Sequence, residues 1–110
     1  MYQGTTPALT FQIAGFDASA MTPYVSFKRG ADILTKTGGD VTVVYDSDND
    51  QSVIVCQLTQ AETLAMRSGE ATVQMRFIDS TGNAYATTKA QIGVEDVIYK
   101  QIITYGGGES

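Results

Sequence analysis

Between Glu70 and Phe77 the chain alternates without a break: Ala71, Val73, Met75 and Phe77 fall on one side, Glu70, Thr72, Gln74 and Arg76 on the other. Successive side chains of a β-strand point to opposite faces of its sheet, whereas a helix needs apolar residues three and four apart. This segment is therefore a central strand with one face on a core and one face wet. The same period of two recurs along the chain. Leu9, Phe11 and Ile13 alternate with Thr10 and Gln12 in a first strand, which Gly15 and Asp17 end. Val25 and Phe27 alternate with Tyr24, Ser26 and Lys28 in a second.

Turn chemistry separates these runs. Arg29-Gly30-Ala31-Asp32 reads as a hairpin turn into a short strand from Ile33 to Lys36, and Thr37-Gly38-Gly39-Asp40 breaks the chain again. Val41 to Tyr45 and Val53 to Leu58 are then two strands joined by Asp46-Ser47-Asp48-Asn49-Asp50. That loop must stay solvated, because its carboxylates would have no partners if buried. Ser80-Thr81-Gly82-Asn83 turns the central strand into a final one. There Ala84, Ala86, Thr88, Ala90 and Ile92 oppose Tyr85, Thr87, Lys89 and Gln91.

The period changes once, after Leu58. Thr59 and Glu62 form the T-x-x-E capping box, which predicts a short helix over 60–67 stopped by Ser68-Gly69, with Leu64 and Met66 plugging the end of a core. Leu58 would be the hydrophobic staple, but the facing position holds Thr63. The fold class that follows is all-β: an immunoglobulin-like antiparallel sandwich of about seven strands with one short helical turn. It carries none of the cysteine pair, tryptophan or tyrosine-corner marks of antibody domains. We read residues 1–105 as one domain and 95–105 as its C-terminal arm. In the arm Val94, Ile98 and Ile102 recur at helical spacing, yet the β-branched run IYKQIIT suits an extended segment equally well. Residues 106–110 are expected to be disordered.

Composition narrows the function classes. With 7 Lys plus Arg against 12 Asp plus Glu the formal charge is -5, opposite in sign to the footprint that nucleic acid requires. No segment approaches the roughly 20 apolar residues of a membrane-spanning helix, and no basic, then apolar leader opens the chain. The expectation is a protein that folds in a cytoplasm, with neither nucleic acid nor membrane as partner. Cys56 is the only cysteine and histidine is absent, which leaves no intramolecular disulfide, no cysteine-based zinc cluster and no thiol–imidazole pair.

Four sets of residues invite a chemical reading. Asp46, Asp48 and Asp50 open like a calcium loop, but Gln51 stands where the motif needs glycine and Gln57 where it needs a bidentate glutamate, so the run reads as an acidic hairpin loop. Asp32 with Asp40, or Glu62 with Glu70, could pair as acid and base, though nothing in their spacing singles them out. Tyr24, Tyr45 or Tyr85 could serve a carbohydrate as a stacking platform. Thr72, Gln74, Arg76, Tyr85 and Lys89 would share the polar outer face of the last two strands; with Ile98 and Ile102 of the arm they are the candidate interface. No catalytic residue, metal ligand or cofactor site is assigned, and the expectation is a non-enzymatic protein.

The opening Tyr2-x-Gly4-Thr5-Thr6-Pro7 with LTFQI, the central PYVSFKRGADILTKT, the block LTQAETLAMRSGEATVQMRF and the closing IGVEDVIY together resemble small immunoglobulin-like proteins of phages and prophages of Gram-positive, especially clostridial, bacteria. Those proteins are similar to the N-terminal domain of siphophage baseplate upper proteins. The strongest shared elements are L-T-Q-x-E-T-L at Leu58 to Leu64 and V-Q-M-R at Val73 to Arg76. The resemblance implies a virion structural or assembly module without catalysis, associated with tail or baseplate. Its partners would be other phage structural proteins or further copies of itself, and its location the host cytoplasm during assembly and then the virion. A stand-alone binding module for a carbohydrate or other cell-surface ligand is the alternative. The chain departs from the baseplate protein in its length, since that protein carries more chain after this module.

Overall fold

The computed structural model describes Met1 to Tyr105; the disorder expected of residues 106–110 lies outside the described residues. Eight strands alternate with short connections: β1 (Ala8–Ala14), β2 (Thr22–Arg29), β3 (Asp32–Thr37), β4 (Val41–Asp46), β5 (Gln51–Gln57), β6 (Gly69–Ile78), β7 (Ala84–Ala86) and β8 (Ala90–Val94). A 3₁₀ turn at Gly38–Asp40 joins β3 to β4, and helix α1 (Gln60–Ala65) joins β5 to β6. All strand pairs are antiparallel. One sheet has the order β1-β5-β4; the other runs β3-β2-β6-β7, with β8 also pairing β6. This is the immunoglobulin-like order, B-E-D facing C′-C-F-G, with α1 at the crossover between sheets.

The core lies between the inward faces that the alternation marked out. Val25 and Phe27 of β2, Ile54 and Cys56 of β5, and Ala71, Val73, Met75 and Phe77 of β6 are all buried. At about 25 cal/mol per Å² of apolar surface removed from water, this shared layer is the main stabilising term. Ser52 stitches the layer to the loop after β1: its hydroxyl donates to the Phe16 carbonyl at 2.6 Å and accepts the Ala18 amide at 2.8 Å.

The chemistry of the turns appears where it was read. Gly30 takes φ +63° in the two-residue loop between the paired Arg29 and Asp32. Asp79 accepts the Thr81 and Asn83 amides at 3.0 and 2.9 Å and so builds the β6–β7 hairpin. Both halves of the capping box form: the Glu62 amide donates to Thr59 Oγ1 at 3.2 Å, and the Thr59 amide to Glu62 Oε1 at 2.8 Å. Thr63, at the staple position, is buried and its hydroxyl donates to the Thr5 carbonyl at 2.9 Å, so a hydrogen bond stands where a staple would use apolar contact.

Two expectations need correcting, and one open alternative closes. The helix ends at Ala65 rather than residue 67, because Met66 turns to extended backbone (ψ 131°) and buries its side chain in the core; Leu64 is only half-buried. Of the two conformations left open for the arm, the helix does not form: residues 96–105 are irregular and belong to no strand. The final strand is two strands, which makes eight rather than about seven.

That last break changes side-chain directions. β7 pairs β6 as Arg76↔Ala86 and Phe77↔Tyr85, whereas β8 pairs it as Thr72↔Gln91 and Val73↔Ala90. Between these registers Thr87, Thr88 and Lys89 face only Gln74 and Met75, which is a β-bulge with one extra residue. Thr87 causes it by acting twice on one partner: its amide donates to the Met75 carbonyl at 2.9 Å while its hydroxyl accepts the Met75 amide at 3.0 Å.

Candidate functional site

The outer face of the five-stranded sheet collects part of the expected interface. Thr72, Gln74 and Arg76 of β6 project there with Tyr24, Ser26 and Lys28 of β2, in the register Tyr24↔Arg76, Ser26↔Gln74 and Lys28↔Thr72. Lys89 from the bulge borders the same shallow surface beside Thr72 and Gln74. Gln91 Nε2 donates to Thr72 Oγ1 at 3.3 Å. The alternation already sets Tyr24 on the wet side of β2, but it misses two further apolar members of this face, Ile33 and Ile78; all three are exposed. Those two become visible only once β2, β3 and β6 are paired in register.

Tyr85 does not belong to that face. Its partner is the inward-pointing Phe77, and its ring packs on Phe16 with centroids 5.5 Å apart. Phe16 in turn meets Phe77 at 5.7 Å. The bulge is the physical reason, since it reverses the parity of β7 relative to β8. Tyr85 instead stands at the mouth of a cleft of about 820 Å³ between β1 and the β7–β8 edge. Ile98 and Ile102 lie apart from both regions on the arm and are exposed, as are Tyr99, Ile103 and Tyr105. Three hydrogen bonds hold the arm down: Lys100 Nζ donates to Gln3 Oε1 at 2.7 Å, the Ile103 amide donates to Gln60 Oε1 at 2.8 Å, and Gln60 Nε2 donates to the Ile103 carbonyl at 2.6 Å.

The carboxylate pairs resolve differently from their spacing. Asp40 and Glu62 converge on Lys36, whose ammonium donates to Glu62 at 2.7 and 2.9 Å and to Asp40 at 3.1 Å. Lys36 is only 6% exposed. Burial pulls its pKa down, but hydrogen bonds to Glu62 and Asp40 outweigh that and leave it raised. For Glu62 burial pushes the other way, and the Lys36 ammonium with the Thr59 amide brings the net shift below the usual carboxylate value. The Lys36–Glu62 pair thus keeps its charges through the neutral range, and the cluster ties α1 to β3 and the 3₁₀ turn. Asp32 pairs instead with Arg67, at 3.2 Å on the surface.

Burial pushes the Cys56 thiol up to about 11, against the opposing pull of the Lys36 ammonium. A fully buried thiol of that kind is core filling. In the acidic loop Asp46 accepts the Asp48 amide at 3.1 Å and the Asn49 amide group at 2.7 Å, and Asp50 accepts the Tyr45 hydroxyl. Hydrogen bonds to Asn49 lower the Asp46 pKa. Among the described residues no group of three or more acidic or thiol side chains is placed to hold a metal ion. None of their helices is long and apolar enough to cross a membrane. Compared with known proteins, the sequence matches no protein-family model and finds no significant match among curated proteins.

Proposed function

We propose that this protein is a non-catalytic assembly module of a phage or prophage particle, of the tail or baseplate kind that its sequence resemblance implies. The observation that supports it best is the arm: Ile98 is 102% exposed and Tyr105 108%, with Ile102 and Ile103 also in solvent. Five large apolar residues within eight positions are costly to leave wet and are characteristic of contact surfaces. The outer sheet face, where Arg76 stands beside Tyr24 and Ile78, is a second contact surface of the composition found at interfaces.

A carbohydrate-binding module needs aromatic rings converging on one ligand. Tyr24 lies on the outer sheet face, Tyr85 at the cleft and Tyr45 against the acidic loop, so the assembly reading is favoured. The test is to co-express the full chain with the products of neighbouring genes and weigh the complexes by light scattering. A complex of defined mass is expected, weakened by Arg76→Glu or by ending the chain at Asp96, which keeps the hydrogen bonds between Glu95 and the N-terminal residues. A chain that stays monomeric, alone and with every neighbour, refutes the proposal.

A further inference from the structure

The cleft between β1 and the β7–β8 edge is a frame with two ends. At one end the chain crosses between sheets. Met1 to Gln3 lie alongside β8, where the Gln3 amide donates to the Glu95 carbonyl at 2.9 Å and the Glu95 amide to the Met1 carbonyl at 2.7 Å, and Gly4 to Pro7 then lead into β1. At the other end Phe16 bridges to Phe77 and Tyr85. Val73, Met75 and Phe77 lie beneath, with Phe11 and Ile13 along one wall.

The wall made by β1 is an unpaired strand edge. The Gly15 amide donates to the Asp50 carbonyl and the Leu58 amide to the Pro7 carbonyl, so the odd-numbered residues of β1 point their backbone groups at β5. Thr10, Gln12 and Ala14 therefore turn theirs toward the cleft. Among the described residues no strand pairs with that edge. In an immunoglobulin-like sandwich this is where strand A lies against strand B.

The geometry points to an extended segment, Gln101 to Tyr105 from the arm of a second copy of this chain, adding to β1 in this cleft as the missing edge strand. The inference rests on the assembly reading and narrows it to a partner and a docking site. Three observations select the occupant. No charged residue lines the cleft, and Gln-Ile-Ile-Thr-Tyr is an uncharged, β-branched run lying outside every strand. Its five residues span about 17 Å as a strand, the length of the Thr10 to Ala14 wall they would pair with. In its own molecule the arm leaves on the far side of the Gly4–Pro7 crossover, with Val97 near Gly4 and Ile103 held by Gln60. Either strand parity puts an isoleucine, Ile102 or Ile103, onto the apolar floor. Main-chain hydrogen bonds to β1 would supply affinity and that isoleucine the selectivity.

The test uses the full chain with photoreactive benzoylphenylalanine in place of Ile103, as an equal mixture of ¹⁴N- and ¹⁵N-labelled protein. After irradiation, cross-links between light and heavy copies are expected at Thr10 to Ala14 or Tyr85 to Ala90. Light scattering of the unlabelled chain should show self-association that rises with concentration and weakens at least about tenfold on Ile103→Asp, an exposed position where the substitution leaves the fold intact. Cross-links confined to one chain, cross-links to the outer sheet face, or association indifferent to Ile103→Asp would each overturn the inference. So would a monomer that forms a complex with a neighbouring gene product, a result that leaves the assembly reading standing.

Discussion

Removing Glu62 should cost far more than removing the lysine it neutralises. In Glu62→Ala, Lys36 keeps only Asp40, whose side chain is 59% exposed, so a buried ammonium loses its two shortest hydrogen bonds. Stripping one partner from a fully buried pair costs about 3–5 kcal/mol; with Asp40 still present we take about 2. The lost half of the capping box adds about 1 kcal/mol, which brings the expected loss to about 3. In Lys36→Met the carboxylates of Glu62 and Asp40 turn to water and an apolar chain fills the same space, so the cost should be under about 1 kcal/mol. Urea unfolding followed by tyrosine fluorescence measures both, with the slope of each transition as the check on two-state behaviour. Equal losses, or a larger loss for Lys36→Met, would refute the view that the buried charge is the costly element.

The same cluster fixes a pH dependence. The Glu62 pKa is lowered on folding, so its contribution is present above its unfolded value of 4.5 and lost as the pH falls through the folded value beneath it. The Lys36 pKa is raised, so its contribution is complete below 10.5 and fades as the pH climbs through the folded value above it. The penalty of Glu62→Ala should therefore be flat from about pH 6 to 9 and shrink in acid, as the parent protein itself loses the pair.

Phe77→Ala, at a ring 1% exposed between Phe16 and the sheet, should cost about 3–5 kcal/mol in the same urea assay; a loss below about 1 would mean the ring is not packed as described. Gly69→Ala should cost about 2 kcal/mol, because φ is +116°, a backbone conformation strained for any residue with a Cβ, and the Arg29 guanidinium 2.7 Å from the new Cβ would also have to shift; a neutral substitution would contradict that backbone conformation. Cys56 should resist alkylation at pH 8 in the native protein and react at the rate of a free thiol in urea, whereas native reactivity would contradict its burial.

What could be read from the sequence was local. The alternation of β6, the Gly30 turn and the Thr59–Glu62 box each concern residues within a few positions of one another, and each appears where the residues place it. The Lys36 cluster is not of that kind. Alternation makes Lys36 the inward partner of Val25, yet nothing near it in the chain says that Glu62, 26 residues on, supplies the charge that permits burial. The apolar cluster of the outer face was hidden for the same reason: Tyr24 reads as outward on its own strand, but Ile33 and Ile78 join its face from two other strands only in the folded sheet.

The bulge shows why an unbroken alternation can mislead. Tyr85 and Ile92 both lie opposite inward-facing residues of β6, Phe77 and Ala71, yet they are an odd number of positions apart, so no regular strand could turn both toward the core. One extra residue solves this, and Thr87 can host it because its hydroxyl replaces a backbone carbonyl as acceptor for the Met75 amide. Nothing in Thr87-Thr88-Lys89 announces the irregularity, for it contains neither glycine nor proline. The repair also shapes the cleft. An edge interrupted by a bulge is a poor template for further pairing, as natural sheets use bulges to blunt such edges. The opposite wall, β1, is regular over Thr10 to Ala14. Of the two edges that frame the cleft, only β1 can accept an added strand in register, which fixes the side from which any partner segment must pair.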